Sequence, residues 1–247
     1  MSLLRGALVF AGLVAAWQVL VWASGVEPFI LPGPLSVARA LAERWETLAA
    51  HAWITFAEIL LGLILGTALG SASALLVATF RPARRWLMPV LVVSQAIPVF
   101  ALAPMLVLWL GYGLASKIAM ATLIIYFPVT AAFFDGLRRT DPGWLDLART
   151  MGGSRWTVLR IIRIPAALPA LSSGLRVATA IAPIGAVVGE WVGSSGGLGY
   201  LMLHANARMQ IDLMFAALFV LAVFAVLLYF AVDRALRLAL PWQADEA

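Results

Sequence analysis

Six apolar stretches, each about as long as a bilayer is thick, dictate what this chain can fold into. They run over about 7–24, 53–79, 87–110, 114–134, 166–189 and 213–233. A helix needs about 20 predominantly apolar residues to cross the hydrocarbon core. In that solvent every backbone N–H and C=O must also be paired within the segment. The expected fold is therefore an all-α membrane protein with six transmembrane helices. Composition agrees: 63% of the 247 residues are hydrophobic and 12% charged, where a soluble domain is roughly half apolar and about a quarter charged. No linker or soluble module separates the stretches, so residues 1–247 read as one membrane domain. The first span lies at its periphery, the core covers about 53–233, and one long loop occupies 135–165. Met1-Ser2-Leu3-Leu4-Arg5 has the look of a secretory signal, but Val21-Trp22-Ala23-Ser24 is a poor cleavage site and five spans follow. An uncleaved helix is expected.

Arginine and lysine set the orientation. With the N-terminus in the cytoplasm, that side holds Arg5, Arg81, Arg84, Arg85, Arg138, Arg139, Arg149, Arg155, Arg160, Arg163, Arg234 and Arg237. The other side holds Arg39, Arg44, Lys117 and Arg208. Both termini are thus expected in the cytoplasm. The net charge of +5 is confined to short loops between apolar runs, which is membrane topology rather than a nucleic-acid footprint. Between the first two spans, Leu31-Pro32-Gly33-Pro34 precedes a 35–50 stretch of amphipathic helical character, with Trp45 and Trp53 suited to the interface.

The absence of cysteine rules out disulfides and thiolate chemistry. His51 and His204 are too far apart in sequence for a local metal motif. Gly62, Gly66 and Gly70, continued by Ala74 and Ala78, form a row at four-residue spacing that admits another helix backbone, within the chain or across a dimer. Pro98, Pro104, Pro128 and Pro183 are expected to interrupt spans.

The long loop carries a second helix signal. Asp141 can cap it with Pro142 at its first position, and Gly152 or Gly153 ends it. Trp144, Leu147, Ala148 and Met151 then share one apolar face. Such a helix can lie on lipid or enter a groove on a cytoplasmic partner.

The run Asp146-Leu147-Ala148, three residues, Gly152, nine residues, Ile162-Arg163-Ile164-Pro165 resembles the EAA motif of ABC importer permeases, with Asp146, Leu147 and Ile164 departing from the pattern. Further matches are Leu31-Pro32-Gly33-Pro34, Ile97-Pro98, Ala103-Pro104, Leu108 to Gly113 with Ser116-Lys117, and Phe127-Pro128. Leu168-Pro169, Gly174-Leu175-Arg176, Gly189-Glu190 and Gly197-Leu198-Gly199 extend the likeness to the nitrate/sulfonate/taurine type. Ser94 to Val99 and Ala182 to Asp212 are most similar to permeases for thiamine pyrimidine precursors. The resemblance implies a type I importer (MetI-like) fold in a bacterial inner membrane. It makes Asp141 to Gly152 a coupling helix that docks into an ATPase subunit. It also implies a second copy of the chain and a periplasmic or tethered binding protein, with ATP and magnesium bound by the ATPase and no cofactor in this chain.

Charges inside a bilayer are costly, at least about 2.5–3.5 kcal/mol each, so Glu58, Arg176 and Glu190 are candidates for the translocation path. Each also has a structural reading. Glu58 can snorkel or pair with a neighbour. Arg176 can bond carbonyls or a carboxylate, or line a cavity as a free cation. Glu190 precedes Gly193-Ser194-Ser195-Gly196-Gly197-Leu198-Gly199, which suits an outer gate, a re-entrant turn or a tight connection. That loop is no phosphate-binding loop, because no Lys-Ser or Lys-Thr follows its glycines. His204, Asn206, Arg208 and Asp212 read as a solvated outer stretch. No nucleophile and base gather anywhere, which argues against an enzyme. No paired broken helices or carboxylate relay favour an ion-coupled carrier.

Overall fold

A computed structural model describes residues 2–242 and, within them, all side chains except those of residues 2–4, 7, 81, 91, 92 and 94–96. Residue 1 and residues 243–247 of the expected single domain lie outside the described residues, as do the side chains of Arg81 and of Ser94 to Ala96. Among the described residues every regular element is helical. The elements are α1 (Ser2–Ser24), α2 (Pro34–Glu43), α3 (Trp45–Thr79), α4 (Arg81–Ala96), α5 (Val99–Leu110), α6 (Leu114–Arg138), α7 (Pro142–Thr150), α8 (Arg155–Val158), α9 (Ile164–Gly193), α10 (Leu198–Ala207) and α11 (Ile211–Ala239). A π-helical turn, Leu159–Arg163, joins α8 to α9 without a break.

Four helical runs are long and apolar enough to span: α3, α6, Arg155–Gly193 and α11. The third expected span, 87–110, is instead two helices. Ile97 is extended (φ −85°, ψ 117°) and Pro98 follows it. A proline excludes the helical region for the residue before it and brings no N–H of its own. Pro104, Pro128 and Pro183, by contrast, sit inside continuous helices and do not interrupt them. The amphipathic 35–50 stretch also divides. It closes at Glu43, and α3 starts at Trp45, eight residues before the expected span. At about 1.5 Å per residue, the 35 residues of α3 measure about 52 Å, longer than the hydrocarbon is thick.

The core is a close stack of α3, α6 and α9, with α6 in the middle. The row Gly62, Gly66, Gly70 faces α6: a Cβ on Gly66 would lie 2.6 Å from Ile125 Cγ2, and one on Gly70 3.0 Å from the Tyr126 carbonyl oxygen. On the other side of α6, a Cβ on Gly185 would lie 2.8 Å from Ala121 Cα and one on Gly174 2.6 Å from Ala132 Cβ. Ala121, fully buried, is therefore held between glycines of both neighbours. Small residues bring backbones together where lipid supplies no hydrophobic drive for association. Helix α2 packs on α11 through buried Val37 and Ala40, while α1 stays exposed along most of its length and reaches the bundle where Trp17 stacks on Phe215.

Candidate functional sites at the two ends of the bundle

At one end α6 hands over to α7. Asp141 accepts a hydrogen bond from the Gly143 N–H at 2.7 Å, and Pro142 opens the helix. At the other terminus Gly152 adopts φ +75°, a region that favours glycine. The Gly153 N–H then returns to the Ala148 carbonyl at 2.9 Å. Only Ala148 of the apolar face is buried; Trp144, Leu147 and Met151 are exposed. Asp146 pairs with Arg149 at 2.8 Å on the solvent side, where an ion pair contributes little. Together with Ile161, Pro165 and Trp242, the exposed apolar residues line an open groove of about 850 Å³. Apolar side chains gathered in an exposed groove are suited to an interaction surface. The groove is fixed to the core by Arg163, whose Nε and Nη2 donate to the Leu137 carbonyl at 3.2 and 2.8 Å.

Arg176 is partnered. Its Nε donates to Asp233 Oδ1 at 2.7 Å, its Nη1 reaches Ser172 Oγ at 3.3 Å, and Asp233 Oδ2 accepts from Arg237 at 2.9 Å. Of its three readings, the carboxylate pair is the one found, and it ties α9 to α11. Asp233 falls at the very end of the expected last span, whereas α11 runs to Ala239 and carries it within the helix. The Asp233/Arg237 spacing on one helix face was the available signal.

At the opposite end Glu58 and Glu190 are both buried. Glu58 does not snorkel: Lys117 Nζ lies 3.3 Å from its Oε1, an ion pair without hydrogen-bond alignment. Lys117, expected on the outer side, is buried too, because α6 packs it between Glu58 of α3 and Gly189 of α9. Glu190 organises the glycine-rich segment. It accepts from Thr55 Oγ1 at 2.6 Å, from the Tyr200 N–H at 3.1 Å and from the Gly199 N–H. Thr55 Oγ1 in turn accepts from the Leu198 N–H at 2.7 Å, and His51 Nδ1 accepts from the Gly197 N–H at 3.0 Å. Four successive amides at the start of α10 thus end on three side chains, two from α3 and one from α9. This satisfies the donors that a helix N-terminus leaves orphaned. Gly197 sits at φ +112°, and a Cβ there would strike the Glu190 carboxylate. Of the three readings of this loop, the structure shows a tight, capped connection.

His51 and His204 flank Tyr200, with ring centroids 5.9 and 3.9 Å away. The sequence alone does not bring His51 and Thr55 to this site, although their spacing of four places them on one face of α3, in line with Glu58. Among the described residues no group of three His, Cys, Asp or Glu side chains is placed to hold a metal ion.

Residues 59–243 match the family model of the binding-protein-dependent transport system inner membrane component. A probable ABC transporter permease protein of Haemophilus influenzae is 55% identical, over 94% of this chain and 94% of its own length. The formylaminopyrimidine transport permease protein ThiX of Halalkalibacterium halodurans is 35% identical over 98% and 97%. A putative aliphatic sulfonates transport permease protein, SsuC, of Bacillus subtilis is 31% identical over 89% and 80%. In fold, the chain superimposes on one from the inward-facing MetNI methionine ABC transporter with a TM-score of 0.69 at 21% identity, covering 79% of this chain and 97% of that one. The chain belongs to the binding-protein-dependent transport system inner membrane component family and is an ABC importer permease with a MetI-type fold, of the nitrate/sulfonate/taurine type.

Proposed function

We propose that this permease forms the translocation path for a small neutral heterocycle of the pyrimidine-precursor class, working by alternating access as a homodimer. One observation carries the mechanism: α7 presents Trp144, Leu147 and Met151 outward from a groove fixed to the base of α9. An ATPase subunit occupies that surface, binding ATP and magnesium itself. Closure of two such subunits draws the two α7 helices together and turns the spans attached to them. The arginine asymmetry supports a cytoplasmic α7 and cytoplasmic termini. The capped α10 end then faces the periplasmic or tethered binding protein that delivers the cargo. Residues 1–247 act as one membrane domain in this scheme.

Two observations support a neutral cargo. ThiX is similar over nearly the whole chain. Within the described spans, Lys117 and Arg176 are both ion-paired, which leaves them unsuited to hold an anion. The sulfonate-type relative keeps an alkanesulfonate, taurine or nitrate as the alternative.

Calorimetry on the companion binding protein separates the cargoes. Micromolar or tighter binding of a formylaminopyrimidine or hydroxymethylpyrimidine, with no heat from taurine or nitrate, is the expected result; the reverse pattern refutes this substrate. Co-expression with the neighbouring ATPase tests the machinery, since failure of the two chains to co-purify would refute the role given to α7. Uptake that persists with an ATPase unable to hydrolyse ATP would instead favour an ion-coupled carrier.

A further inference from the structure

The arginines at the α7 end include two that converge on a single ring. Phe134 of α6 is buried, and its centroid lies 5.8 Å from the guanidinium carbon of Arg84 and 5.5 Å from that of Arg138. Arg84 comes from the first turn of α4 and Arg138 from the last residue of α6. Both are exposed, and among the described residues neither takes part in an ion pair. Arg85 and Arg139 stand beside them in sequence, with Asp135 as the acidic neighbour. The ring face offsets part of the repulsion between two cations; an anion shared by both would offset more.

Beside the same ring a cleft of about 100 Å³ opens between α3, α4 and α6, with exposed Asp135 among its lining residues. Val77, Met88, Phe127 and Ala131 line it together with Phe134. The Thr130 hydroxyl in its wall is engaged by the Tyr126 carbonyl at 2.7 Å, so the surface it offers is apolar. Helix α4 continues from Arg84 past exposed Trp86 and Val90, an aromatic and then an aliphatic side chain of the kind that meets headgroup and acyl chain in turn.

We propose that Arg84, Arg138 and the cleft beside Phe134 form a binding site for an anionic phospholipid. The two guanidiniums hold the phosphate, and the first methylenes of an acyl chain lie against Met88, Phe127 and Ala131. Inorganic phosphate shares the headgroup chemistry but makes no use of the cleft, and the cleft is what selects the lipid.

The test uses the full-length permease in phosphatidylcholine nanodiscs with a graded fraction of phosphatidylglycerol, scoring retained lipid by native mass spectrometry. Wild type is expected to retain phosphatidylglycerol in preference to phosphatidylcholine. The R84Q/R138Q variant is expected to weaken that retention about 30-fold, equivalent to about 2 kcal/mol. Ala131→Phe, which fills the cleft and leaves every charge in place, is expected to weaken it as well. R39Q/R208Q, with the same charge loss elsewhere, is expected to leave it unchanged. Should R84Q/R138Q fail to fold, R84K/R138K keeps both charges but loses the planar fork, and a smaller loss of retention is expected from it. Equal retention by R84Q/R138Q and wild type overturns the proposal. So does displacement of the lipid by millimolar inorganic phosphate, or an Ala131→Phe variant that binds normally; either would leave a bare anion site. Loss of ATPase co-purification with lipid retention intact would also overturn it, by assigning the arginines to a protein interface.

Discussion

Gly66→Ala tests how closely α3 and α6 approach. The added Cβ would lie 2.6 Å from Ile125 Cγ2, 2.8 Å from Ile125 Cβ and 3.2 Å from the Thr122 carbonyl oxygen. Carbon atoms rest at about 3.5–4.0 Å, so the two helices must part by roughly 1 Å. Rotating Ile125 about χ1 does not help, because its Cβ is itself one of the atoms struck. Two effects compete. Alanine in a helix interior gains about 1 kcal/mol over glycine, while overpacking a filled core costs about 1–3 kcal/mol. With the α6 backbone confined on its far side by α9 near Ala121, the upper half of that range applies. The net loss is then about 1–2 kcal/mol. At about 2–4 °C per kcal/mol for a chain of this size, thermal unfolding in detergent should fall by about 2–8 °C. Gly12→Ala is the control: it lies in exposed α1 with nothing near its added methyl, and should be neutral or slightly stabilising. Gly66→Ala/Ile125→Ala should show a coupling of at least about 0.5 kcal/mol, because truncation relieves the Cγ2 contact. If Gly66→Ala unfolds at or above the wild-type temperature, the close approach of these helices is refuted.

Three further outcomes follow from the two ends of the bundle. Thr55→Val removes the acceptor of the Leu198 N–H and a donor to Glu190. It should cost about 1–3 kcal/mol and speed amide exchange at residues 197–200, and unchanged exchange there would contradict the cap. Lys117→Met leaves Glu58 buried without its cation and should lower stability by about 3–5 kcal/mol. Lys117→Met/Glu58→Gln should recover much of that loss in the same thermal assay, and a double variant as unstable as the single would contradict the pairing. Trp144→Ala should reduce recovery of the ATPase subunit on co-purification at least about tenfold, as loss of an aromatic anchor worth more than about 1.4 kcal/mol would. Thermal stability should hardly change, because the side chain is exposed.

What could be read from the sequence was mostly local. Asp141, Pro142 and Gly152 announce α7 because a cap, a first-turn proline and a left-handed glycine act within a few residues of themselves. The glycine row on α3 is equally plain at four-residue spacing, although the sequence left open which helix it meets. The buried pairs lay out of reach. Arg176 and Asp233 are 57 positions apart, and Lys117 meets Glu58 only after α6 has settled against α3. Hydropathy also merged α4 and α5, since an average over 87–110 responds to apolar content and overlooks one extended residue before a proline. The amide cluster of Gly197 to Tyr200 depends on His51 and Thr55, whose relevance appears only when α10 is folded back onto α3.

The unbroken run from Arg155 to Gly193 gives this chain the geometry of a lever as well as of a wall. At about 1.5 Å per residue its 39 residues form a rod of about 58 Å. One end adjoins the α7 groove, and the other carries Glu190 and, through it, the start of α10. Pivoted about Leu159–Arg163, the 30 residues of α9 would form an arm of about 45 Å, on which a tilt of about 5° moves the far tip by about 4 Å. The π-helical turn at Leu159–Arg163 supplies a natural fulcrum, because extra backbone there interrupts the regular ladder. Arg163 anchors that fulcrum to the end of α6, which would hold the bearing in place if the arm tilted. With the His51, Thr55 and Glu190 cap linking the tip to α3, a tilt of one helix would be delivered to two.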